Sequence, residues 1–513
     1  MKMDNGQWAR RGRQVRPCAA GLLLAAIISG CASYEGIEPQ GEMVSLNQLS
    51  ALQAVGDVTI SSANWPDRRW WNVLGDPHLE SLIQEALADS PDMDVAQARL
   101  RSANAAAEQA GAERLPTVKG SAKISRSRVS EVNDPRGQGN IYSTTRGLSS
   151  SFSYDVDLWG GQRAAWSAAL GEARATEIDL HEAALTLSVN VARAYVQLAG
   201  DYALLDIARQ ELERARTIAQ TNLQLQQAGL SDQSALLQSR SSVSTARQSL
   251  EAAEQAVRSD RISLGVLLGK GPDRGFDIER PRSLSPALLS LPSVVPAELV
   301  GRRPDVVAAR WRVEAQTQQI KAAKAKFYPN LNLSAMAGFS SRLGSYFFSE
   351  PAKSWNVSPA LSLPIFEGGR LRANLDSTEA DYDLAVAQYN QTVISALGTV
   401  ADTITSVESL DHQREVLEKA RDDAQQAFDL ALERFQAGIT NYLQVLSAQQ
   451  QLFSAQQSLV TLNSRLVDTS IQLVQALGGG FHDGLNVPHL SGGYPHAPNP
   501  QATGKSRPHQ ADS

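Results

Sequence analysis

The chain has 513 residues, a formal charge of −6, 20% charged residues, 42% hydrophobic residues and two cysteines. That length fits two to four ordinary domains or one long repeated architecture. The acidic balance offers no basic patch for nucleic acid, the apolar fraction excludes wholesale disorder, and two cysteines make neither a disulfide scaffold nor a four-cysteine zinc site.

The first element in chain order is a leader. Lys2, Arg10, Arg11, Arg13 and Arg16 precede a short apolar run at 19–28. The run is too short to span a bilayer as a helix, which takes about 20 apolar residues. It leads into Ile28-Ser29-Gly30-Cys31, which resembles a bacterial lipobox, where small residues precede a cysteine that is lipidated after cleavage. Residues 1–30 then form a lipoprotein signal peptide, and Cys31 opens a lipidated, extended N-terminal segment, 31–77. A plain signal peptide with a coincidental cysteine is the alternative. Cys18 follows Val15-Arg16-Pro17 and does not fit the pattern. Cleavage removes five Lys or Arg residues and one acid, which leaves a net charge of −10. Ala32, not Asp, follows the cysteine; by resemblance to bacterial lipoproteins this favours sorting to the outer membrane.

The remainder is written twice. Pro91-Asp92 precedes Pro116 as Pro304-Asp305 precedes Pro329; Gly160-Gly161 matches Gly368-Gly369; Ala228-Gly229-Leu230 matches Ala437-Gly438-Ile439. Order is kept and the offset barely drifts, so residues 78–268 and 298–477 read as two copies of one unit, joined by a linker at 269–297. Each unit reads helix, strand, strand, long helix, turn, helix.

In the first unit, strands are expected at about 117–128 and 147–158 and a long helix at about 162–227. In the second, strands are expected at about 330–341 and 355–366 and a long helix at about 370–436. Neither long segment contains proline, so each can run about 100 Å as one helix. Leu236, Val243, Leu250, Val257 and Leu264 recur every seven residues, the spacing of a coiled-coil seam. In the strands, Leu331, Leu333, Ala335, Ala337 and Phe339 alternate with polar or small residues, as do Val357, Pro359, Leu361 and Leu363. The lengths suit tilted membrane strands; a water-soluble sheet with one packed face is the alternative.

Four strands cannot close a barrel, and an open edge in lipid leaves backbone groups unsatisfied. If the strands span a membrane, several chains must share one barrel. The hairpin loops 129–145 and 342–354 fall at the end opposite the helices. Trp159, Phe327, Tyr328 and Phe366 fall at the helix-side strand ends, where an interfacial aromatic girdle is expected; packing against the helix ends is the alternative for each.

Trp70-Trp71 with Asp76-Pro77, Leu79 and Leu82-Ile83; Ser90-Pro91-Asp92; Arg302-Arg303-Pro304-Asp305; Phe327-Tyr328-Pro329; Pro364-Ile365-Phe366 with Gly368-Gly369; Arg434-Phe435 with Ala437-Gly438; and Ala476-Leu477-Gly478-Gly479-Gly480 follow in order. Together they resemble the TolC-like outer membrane factors, in the lipoprotein branch that serves multidrug efflux. The resemblance covers the chain from Cys31 to about Phe481. It implies a homotrimer whose three sets of four strands make a 12-stranded transmembrane β-barrel, continuous with a long periplasmic tunnel of coiled-coil α-helices. It implies a passive exit duct, working with a periplasmic adaptor protein and an inner-membrane efflux transporter. A duct for type I protein secretion and a non-transporting coiled-coil envelope tether are the alternatives; amphipathic strands of membrane length argue against the tether.

The same resemblance implies that the two helix-tip turns, Gly229-Leu230-Ser231 and Gly438-Ile439-Thr440, form the periplasmic end and dock on the adaptor. Family members often carry acidic residues near the second turn. Here Asn441 follows Thr440, and Ser447 stands where Asp is common. Asp232, beside the first turn, and Asn441 are the candidate gate residues; a helix cap is the alternative for Asp232.

No catalytic constellation is present in the sequence, and no cofactor is called for. Gly265 to Gly271 imitates a phosphate loop, but it is one residue short and Gly271 replaces the required Ser or Thr; the run reads better as a helix end. His482, His489, His496 and His509 are too widely spaced for a metal site. Residues 478–513 are expected to form a flexible tail.

Overall fold

The computed structural model describes residues 33–45, 66–128, 142–282, 302–342 and 344–482. Cys31, His489, His496 and His509 lie outside them. The first half runs α1 (Pro77–Asp89), α2 (Pro91–Ala112), β1 (Thr117–Arg128), β2 (Tyr142–Val156), α3 (Gly161–Gln227) and α4 (Gln233–Leu267). The second half runs α5 (Pro304–Ala325), β3 (Asn330–Ser341), β4 (Lys353–Ser362), α6 (Arg370–Gln436) and α7 (Tyr442–Ala476). Equivalent helices have equal lengths: 22 residues in α2 and α5, 67 in α3 and α6, 35 in α4 and α7.

Local chemistry sets the boundaries. Proline occupies the first helical position of α1, α2 and α5, where its missing N–H is not needed. The Asp76 side chain caps α1 by accepting from the His78 N–H at 2.8 Å, and Ser90 caps α2 through the Asp92 N–H at 3.3 Å. Gly269 closes α4 with a positive φ of 72°, its N–H bonded to the Val266 carbonyl. The phosphate-loop look-alike is therefore a helix end.

The helices pack side by side. α3 touches α1, α2, α4, α5 and α7, and α6 touches α5 and α7. On α4, Leu236, Val257 and Leu264 are buried, and Leu250 and Val243 pack half-buried between them. The largest core is a belt where Trp70, Leu79, Ile83, Val191, Tyr195, Leu198, Leu264 and Ile471 meet. Within it the Tyr195 hydroxyl donates to Asp76 Oδ2 at 2.8 Å, so one carboxylate both caps α1 and ties it to α3. Burial, and then this bond, raise the Tyr195 hydroxyl well above the usual phenol range.

The four strands form one antiparallel sheet in the order β1-β2-β3-β4. β2 spans Tyr142–Val156, not 147–158. Its first residues lack apolar alternation, but Tyr142 pairs with Arg128 and Thr145 with Ser125, so the partner strand extends the ladder. At its other end the Leu158 N–H turns back to the Val156 carbonyl at 2.8 Å. β4 spans Lys353–Ser362, not 355–366. Ser362 already faces Asn330, the first residue of β3, and Pro364 has no N–H with which to continue.

In the linker, a 3-10 turn at Pro272–Asp277 packs on α4. One further expectation changes. The C-terminal segment is packed rather than flexible as far as His482: Phe481 is 9% exposed, against Ala175, Ile178, Val307 and Ala308. Gly478, Gly479 and Gly480 all have positive φ, and a Cβ there would meet Arg302 O, Leu185 Cδ1 and the Asp67 backbone at 1.9, 2.1 and 2.2 Å. Glycine is required at this close crossing.

Candidate functional site

Residues paired across antiparallel strands share a face of the sheet. One face therefore carries the rows Val118–Phe152–Ala335–Val357, Tyr154–Leu333–Pro359 and Ala122–Leu148–Phe339. The other carries Thr117–Ser153–Ser334–Ser358, Lys119–Ser151–Met336–Asn356 and Ser121–Ser149–Gly338–Ser354. One side is apolar across all four strands, and the other is dominated by serine. On the apolar side Val118, Ile124, Val357 and Leu361 are 66–75% exposed. A packed water-soluble sheet would cover them. β1 and β4 are open edges among the described residues.

Where the sheet meets the helices, aromatic side chains gather. Trp159 donates its indole N–H to the Pro329 carbonyl at 2.7 Å and stacks on Tyr328 at 4.7 Å. Trp159, Tyr328 and Phe366 are exposed, as an interfacial girdle requires. Phe327 is not part of it. It is 7% exposed, between Ile320, Leu371 and Leu375, because successive residues at this turn point to opposite sides.

Tyr34 completes the junction, and nothing in its sequence context marks it. Its hydroxyl lies 3.1 Å from that of Tyr328, and its ring meets Phe327 edge-on at 5.5 Å. From there residues 33–45 run along α6. The Arg372 guanidinium donates to the Ser33 carbonyl. Asp383 Oδ1 accepts from the Gln40 and Gly41 N–H groups at 2.9 and 2.7 Å, and Asn390 bonds the backbone of Val44 and Glu42 at 2.8 and 2.9 Å. Side chains on α6 thus satisfy the polar backbone of an extended segment that has no strand partner.

At the opposite end of the helices lie the two tip turns. They are built alike. The Gly229 N–H bonds the Gln226 carbonyl and the Leu230 N–H reaches the Leu225 carbonyl; the Gly438 N–H bonds Phe435 and the Ile439 N–H reaches Arg434. This is the left-handed glycine closure of a helix, with φ of 70° at Gly229 and 73° at Gly438. Leu230 and Ile439 project outward, each 76% exposed, with Ser231 and Thr440 half-buried beside them. Asp232 and Asn441 are the N-caps of α4 and α7, accepting from Ala235 and Gln444 N–H groups. The backbone bond from Ala235 lowers the Asp232 carboxyl below its usual range, so it is anionic. A shared core of Ile218, Phe428, Phe435, Tyr442, Val445 and Leu452 joins the two hairpins.

One buried polar feature has no signal in the sequence. Asp201 on α3 faces Asp260 on α4; Gln197 donates to Asp201 at 3.2 Å, and Asp260 Oδ2 is buried without a hydrogen-bond partner. Burial first, then the neighbouring Asp201, push the Asp260 carboxyl up to about 7. The folded chain therefore holds a proton that the unfolded chain releases between the ordinary carboxylate range and about pH 7. Stability falls as pH rises through that window and levels above it. Asp260→Asn should raise the unfolding temperature most at pH 7 and above, with the gain shrinking towards zero near pH 4; circular dichroism melts across pH measure this.

A family model described as outer membrane efflux protein matches residues 82–270 and 295–479. The fusaric acid resistance protein FusA of Burkholderia cepacia is 40% identical over 368 residues, covering 70% of this chain and 68% of that protein. The multidrug resistance outer membrane protein MdtP of Escherichia coli K12 is 31% identical over 369 residues, covering 70% and 75%. The crystal structure of the outer membrane protein VceC from Vibrio cholerae superposes with a TM-score of 0.75 at 36% identity, over 82% of this chain and 100% of that one.

Proposed function

This chain belongs to the outer membrane efflux protein family, and from that membership we propose its working form: three copies share one 12-stranded barrel, and their helices enclose a periplasmic tunnel. The protein is an outer-membrane efflux channel with a large periplasmic portion. The observation that carries the proposal is the four-stranded sheet with open edges, one apolar face and one serine-rich face, standing on helices of 67 residues. Lipid is the solvent that suits the apolar face, and closure with further copies satisfies the edges. The serine-rich face then lines water. Transport needs no catalytic residue or cofactor; a periplasmic adaptor and an inner-membrane transporter supply the cargo.

The cargo is of the small-molecule class named for FusA and MdtP, a resistance protein for fusaric acid and a multidrug resistance protein. Deleting the gene should raise cellular retention of a fluorescent drug analogue, and restoring it should reverse this. Unchanged retention in the deletion strain would refute the efflux reading. Unchanged drug retention together with lost secretion of a protein would assign the duct to protein export.

Cys31 is the proposed lipid attachment. The aromatic junction at Tyr34 and the Arg372 contact hold Ser33 at the sheet–helix boundary. Cys31→Ser should leave trimers intact, since the barrel itself holds the membrane, but abolish acylation of the mature N-terminus. Mass spectrometry decides; an unmodified native N-terminus would contradict the anchor. The tip turns are the proposed adaptor-docking surface, and Asp232 and Asn441 the proposed lining of the closed aperture.

A further inference from the structure

The apolar face of the sheet changes character at its outer end. Arg126, Arg128 and Arg146 fall on this face, because Arg146 pairs with Ile124 and Ser341 and Arg126 and Arg128 share its parity. Arg126 and Arg128 follow Ile124 on the same face of β1, and Arg146 stands next to Leu148 on the same face of β2. Arg126 and Arg146 sit diagonally on adjacent strands, which brings their Cβ atoms to about 7–8 Å or less. The Arg126 guanidinium also lies 5.3 Å from the centre of the Tyr142 ring. At the same level the opposite face carries Ser125, Ser127, Ser143 and Thr145, with no charge. Lys353, at the outer end of the same face, pairs with Glu350 at 2.5 Å.

A channel lumen gains nothing from arginines on its outside, and a guanidinium facing hydrocarbon is costly. These side chains are therefore at headgroup height, on the side away from the helices, which is the outer leaflet. A planar guanidinium takes two hydrogen bonds to a phosphate at once, and clusters of basic residues beside a membrane segment recognise anionic lipid headgroups. We propose that Arg126, Arg128 and Arg146 form a binding site for the phosphate groups of an outer-leaflet phospho-glycolipid, with the apolar rows below them receiving its acyl chains. A closed barrel of three chains would carry three such sites. The proposal rests on the barrel reading given above, since it requires this face to meet lipid.

The test uses the full-length protein in detergent and native mass spectrometry, with bis-phosphorylated lipid A and its dephosphorylated form as probes. The wild-type protein should prefer the phosphorylated lipid by about tenfold or more, since each phosphate accepts charge-assisted bonds. This comparison needs no variant, so misfolding cannot obscure it. Arg126→Gln/Arg128→Gln/Arg146→Gln should lose the preference, while Lys119→Gln/Lys123→Gln on the opposite face should keep it. Equal binding of both lipids by the wild-type protein, or an undiminished preference in the triple variant, would overturn the headgroup site and leave the channel reading standing. Loss of preference in the Lys119/Lys123 variant alone would instead show that the faces are reversed and overturn the barrel reading with it.

Discussion

Ala335→Arg should abolish assembly in the outer membrane, whereas Ser334→Arg, one residue away, should be tolerated. Ala335 stands mid-strand between Phe152 and Val357 on the apolar face, and Ser334 between Ser153 and Ser358 on the serine-rich face. An arginine facing lipid near the midplane costs about 2–4 kcal/mol. Three copies in one barrel would cost roughly 6–12 kcal/mol if the sites are independent. That is comparable with the whole stability of an ordinary domain. The same arginine at position 334 enters water. Semi-native gels of outer-membrane fractions separate the outcomes; equal sensitivity at the two positions would refute the assignment of faces.

Leu230→Asp combined with Ile439→Asp should abolish export while leaving assembled channel at normal levels. Both side chains are 76% exposed and make little contact within the chain, so replacing them costs the folded state little. Burying each against an adaptor would contribute about 1.5–3 kcal/mol, and removing both would weaken docking by roughly 10²–10⁴-fold. The glycine closures at Gly229 and Gly438 remain, so the turns survive. Drug retention and site-specific cross-linking to the adaptor measure the effect. Normal export by the double variant would refute docking at these turns. A rise in single-channel conductance without loss of cross-linking would assign the residues to the aperture.

The parts of the fold that depend on periodicity were legible in the sequence. Two proline-free stretches mark α3 and α6, heptad spacing marks α4, and strict alternation defines β3. Features that depend on a partner were not. The extra residues of β2 are in the strand because Ser125 to Arg128 lie opposite them, and nothing within Tyr142 to Arg146 says so. Phe327 and Tyr328 are adjacent and chemically alike, yet one enters a core and the other faces out; only the backbone at the turn separates them. The contact of Tyr34 with Tyr328 spans 294 positions, and that between Asp201 and Asp260 joins two helices. No local pattern encodes either. Gly478, Gly479 and Gly480 resembled a flexible tail until the structure placed other backbone within 2.2 Å of two of their hypothetical Cβ atoms.

The central claim is that β1 of one chain pairs with β4 of the next to close a barrel of three. Disulfide cross-linking tests it most directly. Cysteine at Ser121 on β1 would be combined in turn with cysteine at Asn356, Ser358 or Ala360 on β4, all on the serine-rich face. With the barrel intact in membranes, oxidation should give a covalent trimer for at least one pair. Cysteine at Val357, on the apolar face, should not link to position 121. Oxidation that yields only monomers with an internal link, or only dimers, would contradict a three-chain barrel.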